Sequence, residues 1–218
     1  MAVILLDRAW LSRSLLPLAQ HQRGAFAASC AQRLAPGFLA SPAVRVERPD
    51  DLRVARRLLT ELWAAAAGGT ARLDPLVRAV ERMPELTAHQ QWEGRGAYQT
   101  DALAALLYAG RSWEPSPTNY VVQCARRAFD AAAFLDRQLA PASEEDPLED
   151  VRRLIDHDIP IPEPPSGPFQ PRELQRQRED LAAISAARPE AWETALAQIR
   201  QASKTYGMEF LAALESTT

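Results

Sequence analysis

Residues 97–110 read AYQTDALAALLYAG, and this stretch decides the fold. The eight residues from Ala102 to Ala109 are apolar around the whole helical circumference, without the polar face that a surface helix presents to water. A helix of that kind has to be surrounded by other elements. The stretch therefore predicts a central helix. The Gly94-Arg95-Gly96 segment before it is too short for a phosphate-binding loop, and it predicts the turn that begins the helix.

Outward from this stretch, apolar residues recur with the 3.6-residue period of amphipathic helices. One stripe, with Asp50 or Asp51 as its N-cap and Gly68-Gly69 at its end, is formed by Leu52, Ala55, Leu58, Leu59, Leu62 and Trp63. Further helices are predicted to begin at Asp74-Pro75, Ser116-Pro117 and Asp146-Pro147. The second of these carries the stripe Val121, Ala125, Ala128, Ala132, Leu135 and Leu139. Residues 44–46 are the one place where a short strand is compatible with the pattern.

The last part of the chain begins with a proline-rich segment. Residues 159–171 contain six prolines, a composition that favours extended polyproline II structure, and they predict an ordered strap or a linker. Residues 172–215 then predict a C-terminal helical hairpin, with its second arm starting from Pro189. The sequence as a whole predicts an all-α fold, a compact bundle of about eight helices in a single domain that spans residues 1–218.

Composition narrows the classes of function. The chain has 218 residues, 47% of them hydrophobic and 24% charged, and its net charge of −3 gives no bulk attraction to nucleic acid or anionic lipid. No apolar run approaches the ~20 residues of a membrane span, and the N-terminal residues lack the pattern of a signal peptide. We therefore expect a cytoplasmic protein with no membrane partner.

Two cysteines are present, Cys30 and Cys124, each within an apolar helical stretch. This setting predicts two buried, reduced thiols, although a disulfide between them stays open because pairing depends on distance in the fold. No CxxC or Cys/His cluster occurs, so we expect no structural zinc site, and we expect no cofactor because no dinucleotide or P-loop motif is present.

Four segments carry a resemblance to a known family. They are HQRGAFAASCAQRLAPGF at residues 21–38, RLLTELW at 57–63, GAYQTDALAAL at 96–106, and the helix from Asn119 to Leu139. Together they resemble the small bacterial proteins catalogued as domain of unknown function 416 (DUF416), over residues 17–140. The resemblance implies an all-α cytoplasmic fold, leaves assembly as a homodimer open, and supplies no established activity.

Asp101 is the residue that the sequence singles out most clearly, because it directly precedes the apolar run. Three interpretations stay open. It can be an aspartate in the first turn of the helix that interacts favourably with the helix dipole. It can be a buried carboxylate paired with Arg95, Arg126 or Arg127. It can also be a functional carboxylate in a pocket with Tyr98.

A second candidate is a basic face formed by five arginines: Arg45, Arg48, Arg53, Arg56 and Arg57. Such a cluster could neutralise phosphates. However, four acidic residues are interleaved with it, and no aromatic residue is available there to stack on bases. The pattern favours a solvated helix face, and it makes nucleic acid the less favoured partner.

Catalytic motifs are missing from the rest of the chain. The three histidines are His21, His89 and His157, and the sequence around the last of them, Asp156-His157-Asp158, cannot converge on a metal while it stays helical. The sequence therefore favours a non-enzymatic cytoplasmic protein-interaction module, with an inhibitor or immunity-type protein as one form of it. The alternatives are an enzyme with a carboxylate-based site around Asp101 and a nucleic-acid-associated protein that uses the Arg45–Arg57 face.

Overall fold

The computed structural model describes residues 6–88, 94–114, 117–140 and 167–217. Within these ranges the chain forms ten α-helices and one short 3-10 turn, and no strand. The helices are α1 (Arg8–Leu15), α2 (Gln20–Leu39), α3 (Pro42–Glu47), α4 (Pro49–Ala66), α5 (Asp74–Glu81), α6 (Pro84–Thr87), α7 (Arg95–Arg111), α8 (Pro117–Leu139), α9 (Phe169–Ala186) and α10 (Trp192–Ser216). Eight of them have seven residues or more. The all-α prediction and the predicted number of principal helices are confirmed.

Two helices, α2 and α7, form the centre of the bundle. They pack against each other, and α2 also contacts α4, α8, α9 and α10. The predicted central helix is therefore confirmed as α7, whose residues 102–106 are all buried. Helix α2 is as deeply placed, because its residues from Gly24 to Ala35 are buried without interruption. Small side chains permit this close packing: a Cβ at Gly207 of α10 would lie 2.9 Å from the Arg33 carbonyl oxygen of α2.

The apolar stripes predicted from sequence form the core. All six residues of the Leu52–Trp63 stripe are buried, as are the predicted members of the α8 stripe except Leu139, which is 37% exposed. Cys30 and Cys124 are buried free thiols, as expected. Among the described residues, no helix has both the length and the apolar character needed to cross a bilayer.

Two predictions for α3 and α4 are wrong. Residues 44–46 belong to α3 and not to a strand, because the Ser41 hydroxyl accepts the Val44 N–H and Pro42 starts the helix. Helix α4 begins at Pro49, so Asp50 and Asp51 lie in its first turn and neither is the N-cap. Gly68, at a φ of +87°, does follow the end of α4, as predicted for a glycine that closes a helix.

The start of the C-terminal hairpin also differs from the prediction. Helix α9 begins at Phe169, so the last three residues of the predicted proline-rich segment are helical. The remainder of the hairpin is confirmed, with the 3-10 turn Pro189–Ala191 leading into α10. The helix predicted from Asp146, residues 159–166 of the strap, His89, Ser116 and Asp156–Asp158 lie outside the described residues. The extent of the single domain stays a prediction.

Candidate functional site

A groove of about 470 Å³ runs between α4 and α10. Helix α4 contributes Thr60, Trp63 and Ala64, and Ala67 directly follows it. Helix α10 contributes Glu193, Leu196, Ala197, Arg200, Gln201 and Lys204. The two walls are antiparallel: the indole N–H of Trp192, at the start of α10, donates to the carbonyl of Ala66, at the end of α4, at 2.9 Å. Further along α10, Arg200 lies over the ring of Trp63, a residue that precedes Ala66 by about one turn of α4. We call this feature the α4–α10 groove.

The groove walls follow from helical register. On α10, residues 193, 197, 200, 201 and 204 recur every three or four positions and so share one face, beside the face that Ile199 and Tyr206 bury in the core. The alanines at positions 64, 67 and 197 have short side chains, so they leave the groove open on both sides. The orientation of the Trp63 ring is fixed on its core side, because its indole N–H donates to the Gln32 side chain of α2 at 3.2 Å.

Positive charge is concentrated toward one end of the groove. The Arg200 guanidinium lies 5.7 Å from the centre of the Trp63 ring, an arrangement that favours the cation. Neither Arg200 nor Lys204 forms an ion pair with any residue that the structure describes, and the buried Nε of Arg200 has no hydrogen-bond acceptor there. Arg56 is exposed one turn before Thr60. Met208, 59% exposed, follows Lys204 by one turn.

The opposite end of the groove has the other sign of charge. Glu193 lies there, eleven residues before Lys204 in α10, which corresponds to about 16 Å along the helix. The site is thus an elongated surface with low alanine walls and a charge difference between its ends. Such a surface can hold an amphipathic helix or another extended segment of a partner.

Of the residues that the sequence grouped around Asp101, Tyr98 lies one turn earlier in α7, whereas Arg95 belongs to a different groove. Asp101 is the seventh residue of α7, so the first-turn interpretation is wrong; its partner is Arg127, whose Nη1 lies 3.1 Å from Oδ1. Tyr98 is buried beside Phe134 and Phe210, and its hydroxyl has no hydrogen-bond partner in the described chain. Arg95 lines a different groove, of about 360 Å³, together with Gln99. Asp101 lines neither of these two grooves.

Burial has the largest effect on the pKa values of Asp101 and Tyr98. It raises the pKa of Asp101 to about 6, against the opposing effect of Arg127, and the nearby Asp130 raises it further. Burial also raises the pKa of Tyr98, with Arg137 opposing and Asp101 contributing. The ionised form of Asp101 is therefore disfavoured in the folded chain, despite its ion pair.

A pH-dependent difference between wild type and Asp101→Asn tests this assignment. A native pKa near 6, above the ordinary 3.8, means that the folded state retains a proton which the unfolded state has lost. The contribution of Asp101 to stability is therefore present below pH ~4 and is lost as pH rises through 6. We expect urea unfolding to favour Asp101→Asn progressively from pH 4 to 7, by at most about 3 kcal/mol. The exposed Asp74→Asn serves as control, and a difference that stays constant with pH would contradict the assignment.

The five arginines of the predicted basic face do not form one free surface. Arg48 is half-buried against Phe38 and pairs with Glu85, its Nη1 donating to Oε2 at 3.0 Å. Arg53 pairs with Asp50 at 2.8 Å, and Arg57 lies 3.8 Å from Glu61. Arg45 and Arg56 are exposed and form no ion pair within the described residues.

A buried polar cluster lies at the centre of the molecule, and sequence reasoning missed it. Arg33 of α2 is fully buried and binds Glu173 of α9 through two nitrogens, at 2.8 and 2.9 Å, and Asp180 at 2.6 Å. Burial alone would lower the pKa of Arg33, but Glu173, Cys30 and Asp180 outweigh it and raise that pKa. Ser29 donates to Asp180, and Gln177 donates to Glu173. We use the name Arg33 cluster for Ser29, Arg33, Glu173, Gln177 and Asp180; it is enclosed and joins α2 to α9.

Metal ligation finds no support in the described part of the chain. No group of three or more His, Cys, Asp or Glu side chains there could hold an ion. Neither does the α4–α10 groove contain a histidine, cysteine or pair of carboxylates. Its lining consists of apolar side chains and a few polar and charged ones.

The fold and the groove define a small all-helical protein with an open surface groove between two antiparallel helices. No protein-family model matches the chain, and no curated protein matches it. Among solved structures, it is similar to a DUF416 family protein from Shewanella baltica OS155, with a TM-score of 0.60 and 15% sequence identity, over 91% of this chain and 95% of that one. The chain therefore has a DUF416-type fold, as the resemblance in its sequence implied.

Proposed function

We propose that the protein is a non-enzymatic protein-interaction module and that its docking site is the α4–α10 groove. The observation that carries the proposal is the groove itself, whose arginine is stacked on Trp63 while its two cations lack carboxylate partners in the described chain. Charged groups left available beside an apolar surface are typical of recognition sites.

The shape of the groove supports a helix as the docked element. Two antiparallel helices provide its walls, and about 16 Å of length accommodates roughly three helical turns. The alanines at positions 64, 67 and 197 let a third helix approach closely. Met208 extends the apolar surface at the cationic end with a flexible side chain that adapts to different partners.

The two other candidate functions have weaker support. An enzymatic site around Asp101 is supported by its raised pKa and by the unpartnered hydroxyl of Tyr98. Its carboxylate is nevertheless engaged by Arg127 and lines neither of the two grooves. A nucleic-acid role for the Arg45–Arg57 face is weakened because three of the five arginines pair with carboxylates.

Location and assembly belong to the same proposal. We place the module in the cytoplasm, because its two buried cysteines are free thiols. An inhibitor or immunity-type role is one form that binding through such a groove can take. A second copy of the chain is a further binding partner that this proposal includes.

Filling the groove tests the proposal. Ala197 is exposed on the groove wall, so Ala197→Trp should leave the melting temperature unchanged while it blocks a docked helix. The matched control is Ala183→Trp, at an exposed alanine of α9. Proteins retained from native lysate by wild type and by the control are identified, purified and titrated against all three forms. We expect at least a tenfold loss of affinity for Ala197→Trp alone. Equal affinities of the three forms would reject the groove as the docking site.

A further inference from the structure

We infer that the α4–α10 groove selects an acidic helix of a partner protein, with its carboxylates at the Arg200–Lys204 end. This inference rests on the proposed function and adds the chemistry of the partner. It concerns the charge of the groove, whereas the docking proposal above concerns its shape, so that each can fail separately.

The first argument is the state of Arg200. Stacking on Trp63 fixes the guanidinium before any partner arrives, so less side-chain entropy is lost when a carboxylate binds it. The group also retains hydrogen-bond donors for a partner, since its terminal nitrogens are not buried and form no hydrogen bond with any described residue, whereas its unpartnered Nε is buried. A carboxylate is the acceptor that a guanidinium binds most strongly in a protein partner.

The second argument is the arrangement of charge along α10. Arg200 and Lys204 are one turn apart on the same face, and Glu193 lies seven residues before Arg200, about 10 Å away along the helix. A carboxylate opposite Glu193 would be repelled, while a lysine or arginine would be attracted. The complementary helix therefore carries acidic residues at one end of its contact face and a basic residue two to three turns away.

The third argument favours a protein over a nucleic acid. Trp63 is only 2% exposed and is covered by Arg200, so it offers no free face on which a base could stack. The walls of the groove are alanines, which suit the side chains of an apolar helix face. The net charge of −3 also gives the chain no general attraction to phosphates.

The test uses labelled synthetic peptides and fluorescence anisotropy. The first probe is an 18-residue amphipathic helix of leucine and alanine with two glutamates near one end and one lysine three turns away. The second has glutamine in place of both glutamates. At low salt we expect the acidic probe to bind three- to tenfold more tightly, and we expect high salt to reduce this preference. The double variant Arg200→Gln/Lys204→Gln should abolish the preference, and Arg188→Gln, an exposed arginine outside the groove, should retain it.

Each remaining outcome would overturn the inference. Equal binding of the two probes would reject charge selection and leave the groove as a docking site. Binding of neither probe would reject the helical occupant. A 20-nucleotide DNA probe that binds through Arg200 and Lys204 would make the groove a nucleic-acid surface. Tighter binding of the peptide EEDPLEDVRRLIDHD, residues 144–158 of this chain, than of the acidic probe would assign the groove to a segment of this chain itself, in the same or a second copy.

Discussion

Arg33→Met is expected to lower the free energy of unfolding by about 3–5 kcal/mol, because it leaves the buried Glu173 without its cation and leaves the buried Asp180 with only the longer contact, 3.7 Å, to Arg176. Glu173 and Asp180 are each 1% exposed, and Arg33 donates three of the five hydrogen bonds that their carboxylates accept within the described residues. In a chain of this length the loss corresponds to a fall in Tm of about 6–20 °C. Thermal and urea unfolding of the purified variant measure it.

Two comparisons separate lost charge pairing from lost packing. Replacing the three fully buried charges together, as Arg33→Met/Glu173→Met/Asp180→Leu, should recover most of the stability, since a buried ion pair replaced by apolar groups of similar volume is often neutral. Arg126→Met, which removes an exposed arginine paired with Asp130, should change stability by less than about 1 kcal/mol. A single variant as stable as wild type would show that the buried charges do not depend on Arg33.

The Arg33 variant should also depend on pH in a definite direction. Burial already raises the pKa of Glu173, and Arg33 opposes that rise. Without Arg33 the Glu173 carboxyl of the folded state retains its proton to higher pH than that of the unfolded state, so the stability that it contributes at low pH is lost as pH rises. The deficit of Arg33→Met relative to wild type should therefore be smaller at pH 5 than at pH 8.

Helical periodicity predicted the architecture because apolar burial alone decides it. The Leu52–Trp63 stripe and the apolar run of α7 identify their own buried faces, and neighbouring helices only have to cover them. The Arg33 cluster could not be predicted in this way. Glu173 and Asp180 follow Arg33 by 140 and 147 residues in the chain, and a charged side chain on a helix is usually solvated. One signal was available: Glu173, Gln177 and Asp180 share a face of α9 with Leu181 and Ile184.

The candidate site was equally hard to find from sequence. Its alanines, Lys204 and Glu193 have the composition of an ordinary solvated face, and only the spacing between α4 and α10 turns that face into a groove. Asp101 illustrates a different difficulty. Its proximity to the core was predictable from the apolar run that follows it, but its role depended on where α7 begins. With Arg95 as the first residue, Arg95 and Asp101 lie about 120° apart around the helix and cannot share one site.

Asp136, where α8 meets α9, is the second residue whose substitution we expect to change the free energy of unfolding strongly. This carboxylate is 3% exposed and accepts the N–H groups of Phe169 and Gln170 at 2.9 and 2.7 Å. These are the first two residues of α9, whose N–H groups have no partner within their own helix. Asp136 therefore acts as the N-cap of a helix to which it does not belong, and Gly167 leaves room for it, because a Cβ there would collide with the carboxylate.

Asp136→Ala is expected to lower the free energy of unfolding by about 2–4 kcal/mol, since it removes two charge-assisted hydrogen bonds and leaves N–H donors unsatisfied. Asp136→Asn keeps one acceptor oxygen and should lose about half as much. Asp130→Ala, six residues earlier on α8 with an exposed carboxylate, is the matched control and should be nearly neutral. Hydrogen exchange at the amides of Phe169 and Gln170 should accelerate in the order wild type, Asn, Ala. If Asp136→Ala melts like Asp130→Ala while these amides stay protected, another group caps α9, and the side chain of Asp136 does not connect the two helices.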